Sequence, residues 1–216
     1  MTWQLTTFAM LAAVLGLGFA WYERTHPSSK VLAMVATLAA LAALGRIAFA
    51  PLPNVKPTTD IVFLTGYVLG GAPGFAVGAL AALSSNLVFG QGPWTPWQMV
   101  AWGLIGMIGA AWAPLTARRL PRIPTAALLA LCGLFYGALT NVSTLTAAGG
   151  TPSLAQWGAV EATGLPFDIA HAVGNVAFFL AFGPAFVRVL QRYRARLEVR
   201  WTPAAAPPAT NPTTIT

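Results

Sequence analysis

The chain alternates long apolar stretches with short polar ones, and the apolar stretches set its plan. Leu5–Tyr22, Val31–Phe49, Met99–Ala117, Thr125–Thr146 and Leu165–Leu190 each approach or exceed the roughly 20 residues that cross hydrocarbon as a helix. Between the second and third of these, Ile61–Gly70 and Pro73–Phe89 are separated by Gly70-Gly71-Ala72-Pro73. They read either as two short spans or as a re-entrant hairpin, and both return the chain to the side it left. Seven apolar segments result. Alanines at Ala36/Ala40 and Ala39/Ala43, and glycines at Gly66, Gly70, Gly74 and Gly78, recur every four residues. Small residues at that spacing let helix backbones approach closely.

Composition turns this plan into a class. Of 216 residues 56% are hydrophobic and 8% charged, and the mean hydropathy is +0.67. Soluble domains carry about 25% charged residues, so the expectation is an all-α integral membrane protein. The net charge of +7 resembles that of a nucleic-acid binder, but its placement points to orientation instead. Ten of the twelve Lys and Arg residues are Arg24, Lys30, Arg118, Arg119, Arg122, Arg188, Arg192, Arg194, Arg196 and Arg200, clustered at alternate connections. By the positive-inside rule those connections are cytoplasmic. The N-terminus is then outside, the C-terminus inside, and no nucleic-acid partner is expected. Leu5–Tyr22 carries its positive charge after the apolar run, which fits a retained span better than a secretory signal. Residues 1–22 form an extra N-terminal helix, 23–200 the bundle, and 201–216 a Pro/Ala/Thr-rich tail expected to be disordered. Cys132 has no partner cysteine, so no disulfide or thiolate site is available.

The polar connections on the outer side carry the candidate chemistry. Ala50–Thr59 is a proline-rich outer loop with Asn54 and Lys56, and Asp60 opens the next helix, where the helix dipole favours a carboxylate. Arg46 stands near the outer end of its span, within reach of the interface along its own stem. Gly90–Gln98, GQGPWTPWQ, interrupts two apolar runs. Its spacing predicts Thr95 as a cap, Pro96 at the first helical position and Gln98 closing a capping box. Trp94 and Trp97 there are either an interfacial aromatic belt or a lid over a pocket. Ala147–Gly164 is read as an outer loop with a short surface helix, capped by Ser153 and Gln156 and anchored by Trp157. In the last span Asp168, His171 and Asn175 share one helix face, as a self-satisfied pair or as the polar wall of a cavity. Together with Asn86 and Asn141, these outer-side groups describe a small-molecule pocket with polar anchors and aromatic walls.

Catalytic signatures are lacking. There is no GxSxG elbow, no HExxH and no Walker A motif, and the only histidines are His26 and His171. An intramembrane enzyme using Asp168 and His171 and a membrane scaffold or assembly protein are the two competing classes. Neither a metal site nor a cofactor is expected.

The run GRIAFAPLPNVKPTTDIVFLTGYVLGGAPGFAVGALAALSSNLVFGQGPWTPWQM resembles the substrate-binding S components of energy-coupling-factor (ECF) vitamin importers, over about residues 31–190. Within that family, the extra N-terminal span and GPWTPWQM look most like the branch associated with cobalamin and its precursors. The resemblance implies a six-helix S-component bundle plus one added helix in the cytoplasmic (inner) membrane of a bacterial-type cell. Such a subunit captures a vitamin at the outer face and partners a transmembrane coupling protein and two ABC ATPases. It has no ATPase site of its own. The family's docking motif maps onto Ala36/Ala40 or Ala39/Ala43. Its binding loops map onto Ala50–Thr59, Gly90–Gln98 and Ala147–Gly164.

Overall fold

The computed structural model describes residues 3–148 and 153–197. Among them are seven α-helices and no strands: α1 (Trp3–Thr25), α2 (Ser29–Ala48), α3 (Thr58–Leu69), α4 (Gly71–Phe89), α5 (Trp94–Leu115), α6 (Arg122–Ala148) and α7 (Leu154–Leu197). Six are long and apolar enough to cross a membrane, and α3 is the short one.

Helix α3 is the centre of the bundle. Every residue from Thr58 to Val68 is buried, and the helix packs on α2, α4, α5, α6 and α7. Its sequence, TTDIVFLTGYVL, has no polar stripe because no face of it meets lipid or water. It is short because the preceding loop does not stay outside. Pro57 lies against α2 a full turn below its end, so close that a Cβ on Gly45 would sit 2.8 Å from the proline ring. Thr58 Oγ1 donates to the Ala42 carbonyl at 3.1 Å. The proline-rich segment expected as an outer loop therefore descends into the bundle, and its Thr58 and Thr59 already belong to α3.

The α3–α4 junction is a single residue, Gly70, at φ +103° and ψ 174°, a conformation only glycine adopts without strain. The two segments are thus separate helices, with α4 alone long enough to span. Gly66, Gly74 and Gly106 then bring α3, α4 and α5 into backbone contact. A Cβ on Gly74 would lie 2.7 Å from the Gly66 Cα, and one on Gly66 would overlap the Gly106 carbonyl. That closeness is the physical content of the four-residue glycine spacing.

Ser28 caps α2, accepting from the Val31 N–H at 3.4 Å. Ser153 and Gln156 form the reciprocal box at the start of α7, with the Ser153 N–H donating to Gln156 Oε1 at 2.8 Å and the Gln156 N–H to Ser153 Oγ at 3.2 Å. The helix they start is not a short surface element, however. It runs without interruption through Pro166 and Pro184 to Leu197. At 1.5 Å per residue this is about 66 Å, some twice the hydrocarbon thickness. Proline at 166 removes a single i→i−4 bond, which a long helix packed along α6 tolerates. GQGPWTPWQ also differs from expectation. Only Gly90–Pro93 is non-helical, and α5 begins at Trp94 with no side-chain cap. Helix α1 packs on α5 and, more lightly, α4, and among its described side chains only Val14 is buried. The tail 201–216 lies outside the described residues.

One end of the bundle gathers the arginines. There the Leu120 N–H donates to Tyr67 Oη at 2.9 Å, and Arg194 Nη1 to the Val68 carbonyl at 2.7 Å. The opposite end holds the end of α2, the starts of α3 and α5, the end of α4, and the facing segments of α6 and α7.

Candidate functional site

At that opposite end lies a cavity of about 300 Å³. It is lined by Arg46, Asn54, Lys56, Gln98, Trp102 and Tyr136, and across from them by Thr140, Asn141, Gly164, Phe167, Asp168 and His171. Residues from four helices, α2, α5, α6 and α7, and from the α2–α3 loop converge on it.

Its inner wall is aromatic. The Trp102 and Tyr136 rings lie 4.5 Å apart between centroids, tilted by 33°, and Tyr136 meets His171 edge-on at 5.1 Å. Thr59 ties this wall together from below. Indole nitrogen can only donate, so the 3.1 Å contact from Trp102 Nε1 makes Thr59 Oγ1 an acceptor. The same hydroxyl lies 2.8 Å from His171 Nε2, a hydrogen bond whose direction follows the histidine tautomer.

A second network sets the α2–α4–α5 side. Arg46 Nη1 donates to Ser85 Oγ at 2.7 Å and to Asn86 Oδ1 at 2.6 Å. The guanidinium lies over the Phe89 and Trp102 rings, 4.7 and 5.1 Å from their centroids. Asn86 Nδ2 in turn donates to Thr95 Oγ1 at 3.0 Å and Gln98 Oε1 at 2.8 Å. Lys56 Nζ donates to the Phe49 and Leu52 carbonyls, the latter at 2.8 Å. Desolvation, and after it the charge of Arg46, holds the Lys56 ammonium below the usual lysine range. On the far side the Asp168 carboxylate sits directly over Gly137, where any Cβ would overlap it. Asn141 Nδ2 donates to Glu161 Oε2 at 3.2 Å.

Asn54, Lys56, Gln98, Asn141, Asp168 and His171 are thus brought to one cavity. Five other candidates are not. Asn86 is fully buried behind Arg46 and Gln98. Asn175 is fully buried, donating to the Leu129 carbonyl at 3.0 Å while its own carbonyl oxygen has no partner. Asp60 is fully buried in the first turn of α3, both carboxylate oxygens without a partner. Trp94 is 43% exposed, and its ring folds back over Gly92 rather than over the cavity. Trp97 is half-buried on the same turn and does not line the site. Because α5 starts at Trp94, the aromatic wall comes from two turns further along, at Trp102. Gln98 bonds Asn86 instead of closing a capping box. Asp168 and His171 line the same cavity, but among the described residues they share no hydrogen bond, and His171 Nε2 faces Thr59 Oγ1.

From sequence alone, Trp102, Tyr136, Thr140 and Phe167 have no site role, and Arg46 points at the interface rather than the cavity. Arg46 carried a usable signal, because an ionisable residue inside an apolar span marks a functional site by default. The stem that was read as reaching the interface instead turns inward to Ser85 and Asn86. Tyr136, Thr140 and Asn141 fall on one face of α6, and Gln98 and Trp102 on one face of α5.

A family model described as "ECF-type riboflavin transporter, S component" matches residues 27–182. The chain belongs to this family of ECF S components. It is therefore a multi-pass membrane protein, the substrate-binding subunit of an ECF vitamin importer and not an enzyme, and membership implies association with a coupling protein and ABC ATPases. The match begins at residue 27, after the end of α1. Comparison with curated proteins and with solved structures gives no match.

Proposed function

We propose that this S component captures a flat, polar-edged vitamin in the cavity between Trp102, Tyr136 and His171. The single observation behind this is the cavity's make-up: stacked aromatic rings on one wall and amide, hydroxyl and charged groups around it, the usual composition of a small-molecule site. Asn54, Lys56, Gln98, Asn141, Asp168 and His171 are the proposed contacts. Asp60, Asn86 and Asn175 support them from beneath, and Trp94 and Trp97 mark the membrane surface nearby. The arginine-rich end lies in the cytoplasm, which opens the site outward.

Two ligands compete. Riboflavin is the vitamin of the family's name, and its size suits about 300 Å³, the lower end of small-molecule pockets. A corrinoid, suggested by GPWTPWQM, has the amide periphery that Asn54, Gln98 and Asn141 suit, but it needs the walls to open. Size favours the smaller ring.

Docking to the coupling protein is assigned to Ala36 and Ala40. Both are exposed on the outer face of α2, whereas Ala39 and Ala43 are buried against the bundle.

Titration of the purified protein in nanodiscs, followed by tryptophan fluorescence, tests capture. The panel is riboflavin, thiamin, folate, cobinamide and cobalamin. Saturable one-to-one binding of riboflavin is expected. Binding of cobalamin or cobinamide alone would replace riboflavin by a corrinoid, and binding of nothing would overturn capture of these vitamins.

A further inference from the structure

The cavity is electrically lopsided. Arg46 and Lys56 stand on its α2 side, and Asp168 faces it from α7, with Glu161 just outside. Among the described residues neither cation forms an ion pair. Arg46 is held by two neutral acceptors and Lys56 by two carbonyls.

An arginine in the membrane interior without a counter-ion is costly, and a lone buried charge normally acquires a partner. The last turn of α2 offsets part of this, because carbonyls at a helix C-terminus favour a cation. Lys56, however, already occupies the Phe49 and Leu52 carbonyls just beyond that turn. The guanidinium is also fixed in orientation: Nη1 is anchored twice, and the plane rests on the Phe89 and Trp102 rings. Its remaining N–H groups have no protein acceptor among the described residues. An immobilised fork with free donors beside a cavity matches an oxyanion, which it can hold in bidentate fashion. Lys56 adds a second positive charge near enough to feel the first.

We propose that the Arg46–Lys56 side of the cavity is an anion subsite, at which a ligand bearing a carboxylate or phosphate is held more tightly than its neutral counterpart. This rests on the capture reading above and refines it: neutral riboflavin fits the aromatic wall, and an anionic form of the vitamin also fills the subsite. Two arms test it separately. In the first, thermal unfolding of the full chain in nanodiscs is followed with and without millimolar inorganic phosphate. Phosphate raises the Tm of the wild type and leaves R46Q unchanged. In the second, matched pairs are titrated that differ in one anionic group: riboflavin and flavin mononucleotide, pyridoxal and pyridoxal phosphate, pantothenol and pantothenate, biotinamide and biotin. The anionic member of the pair that binds is tighter by at least about ten-fold, the scale of one charge-assisted hydrogen bond. K56Q, which removes the charge at the cost of the Phe49 and Leu52 carbonyl contacts but leaves the Arg46–Ser85–Asn86 network in place, narrows the gap, as does R46Q. The phosphate pairs and the carboxylate pairs together say which anion is used.

Failure of phosphate to stabilise the wild type, or equal binding of a neutral member, overturns the anion subsite while leaving capture standing. Phosphate stabilisation without binding of any pair supports the subsite and counts against capture of these vitamins.

Discussion

Thr59 Oγ1 and His171 Nε2 lie 2.8 Å apart, joining α3 to α7 across 112 positions of sequence. Trp102 on α5 donates to the same hydroxyl, so one buried threonine orders three helices beneath the cavity. Thr59→Val keeps the shape and removes the hydroxyl, leaving an indole N–H and an imidazole nitrogen without partners. Each such orphan costs about 1–3 kcal/mol. Unfolding in detergent should show T59V less stable than the wild type by about 2 kcal/mol, with T59S close to wild type. Equal stability of T59V and T59S would show that the hydroxyl contributes nothing.

The placement of the tryptophans predicts which one reports a ligand. Trp102 is 2% exposed and lines the cavity, whereas Trp94 is 43% exposed and folds over Gly92. In the vitamin titration, Trp102→Phe should lose most of the saturable fluorescence change and Trp94→Phe should keep it. The reverse pattern would restore the lid at GPWTPWQ.

The two alanine pairs of α2 separate in the same manner. Ala36 and Ala40 are exposed, and Ala39 and Ala43 are 3% and 5% exposed within the bundle. Leucine at both Ala36 and Ala40 should abolish co-purification with the coupling protein and ATPases while leaving the unfolding temperature and vitamin binding unchanged. Leucine at Ala39 or Ala43 forces extra methylenes into packed space, at about 1–3 kcal/mol. It should lower the unfolding temperature. Retained co-purification of the A36L/A40L protein would move docking to another face.

The helices, their order and the charge asymmetry were legible in the sequence, because a bilayer demands long apolar segments and little else looks like them. Boundaries set by tertiary contact were not. Hydropathy marks Ala50–Thr59 as polar, but it does not show that Thr58 bonds Ala42 inside the bundle. Ala147–Gly164 read as a loop with a short surface helix, yet α7 runs from Leu154 straight into the last span, packed along α6. The site was half legible for a related reason. Isolated polar residues such as Asn54, Asn141 and Asp168 stand out in an apolar chain, whereas Trp102 and Tyr136 look like any core aromatics until their neighbours are placed. Arg46 stood out and was assigned outward, because the stem's direction depends on Ser85 and Asn86, some 40 positions away.

Two glycines of similar appearance should behave differently when given a methyl group. At Gly66 the new Cβ meets the backbone carbonyl of Gly106, and the α3–α5 contact can yield only by moving a helix. At Gly137 it meets the Asp168 carboxylate, the far end of a side chain that can rotate toward the cavity. Gly66→Ala is therefore a fold mutation, expected to cost about 3 kcal/mol, the upper end of ordinary overpacking. Gly137→Ala is a site mutation. It should cost less than about 1 kcal/mol in unfolding, since the relief is a rotamer change, while the displaced carboxylate intrudes on the ligand's space. Vitamin affinity should fall about ten-fold, equivalent to about 1.4 kcal/mol. Measured side by side, unfolding and titration should each single out one of the two variants. A Gly137→Ala protein that binds normally would place Asp168 outside the ligand's reach and leave its carboxylate a structural group.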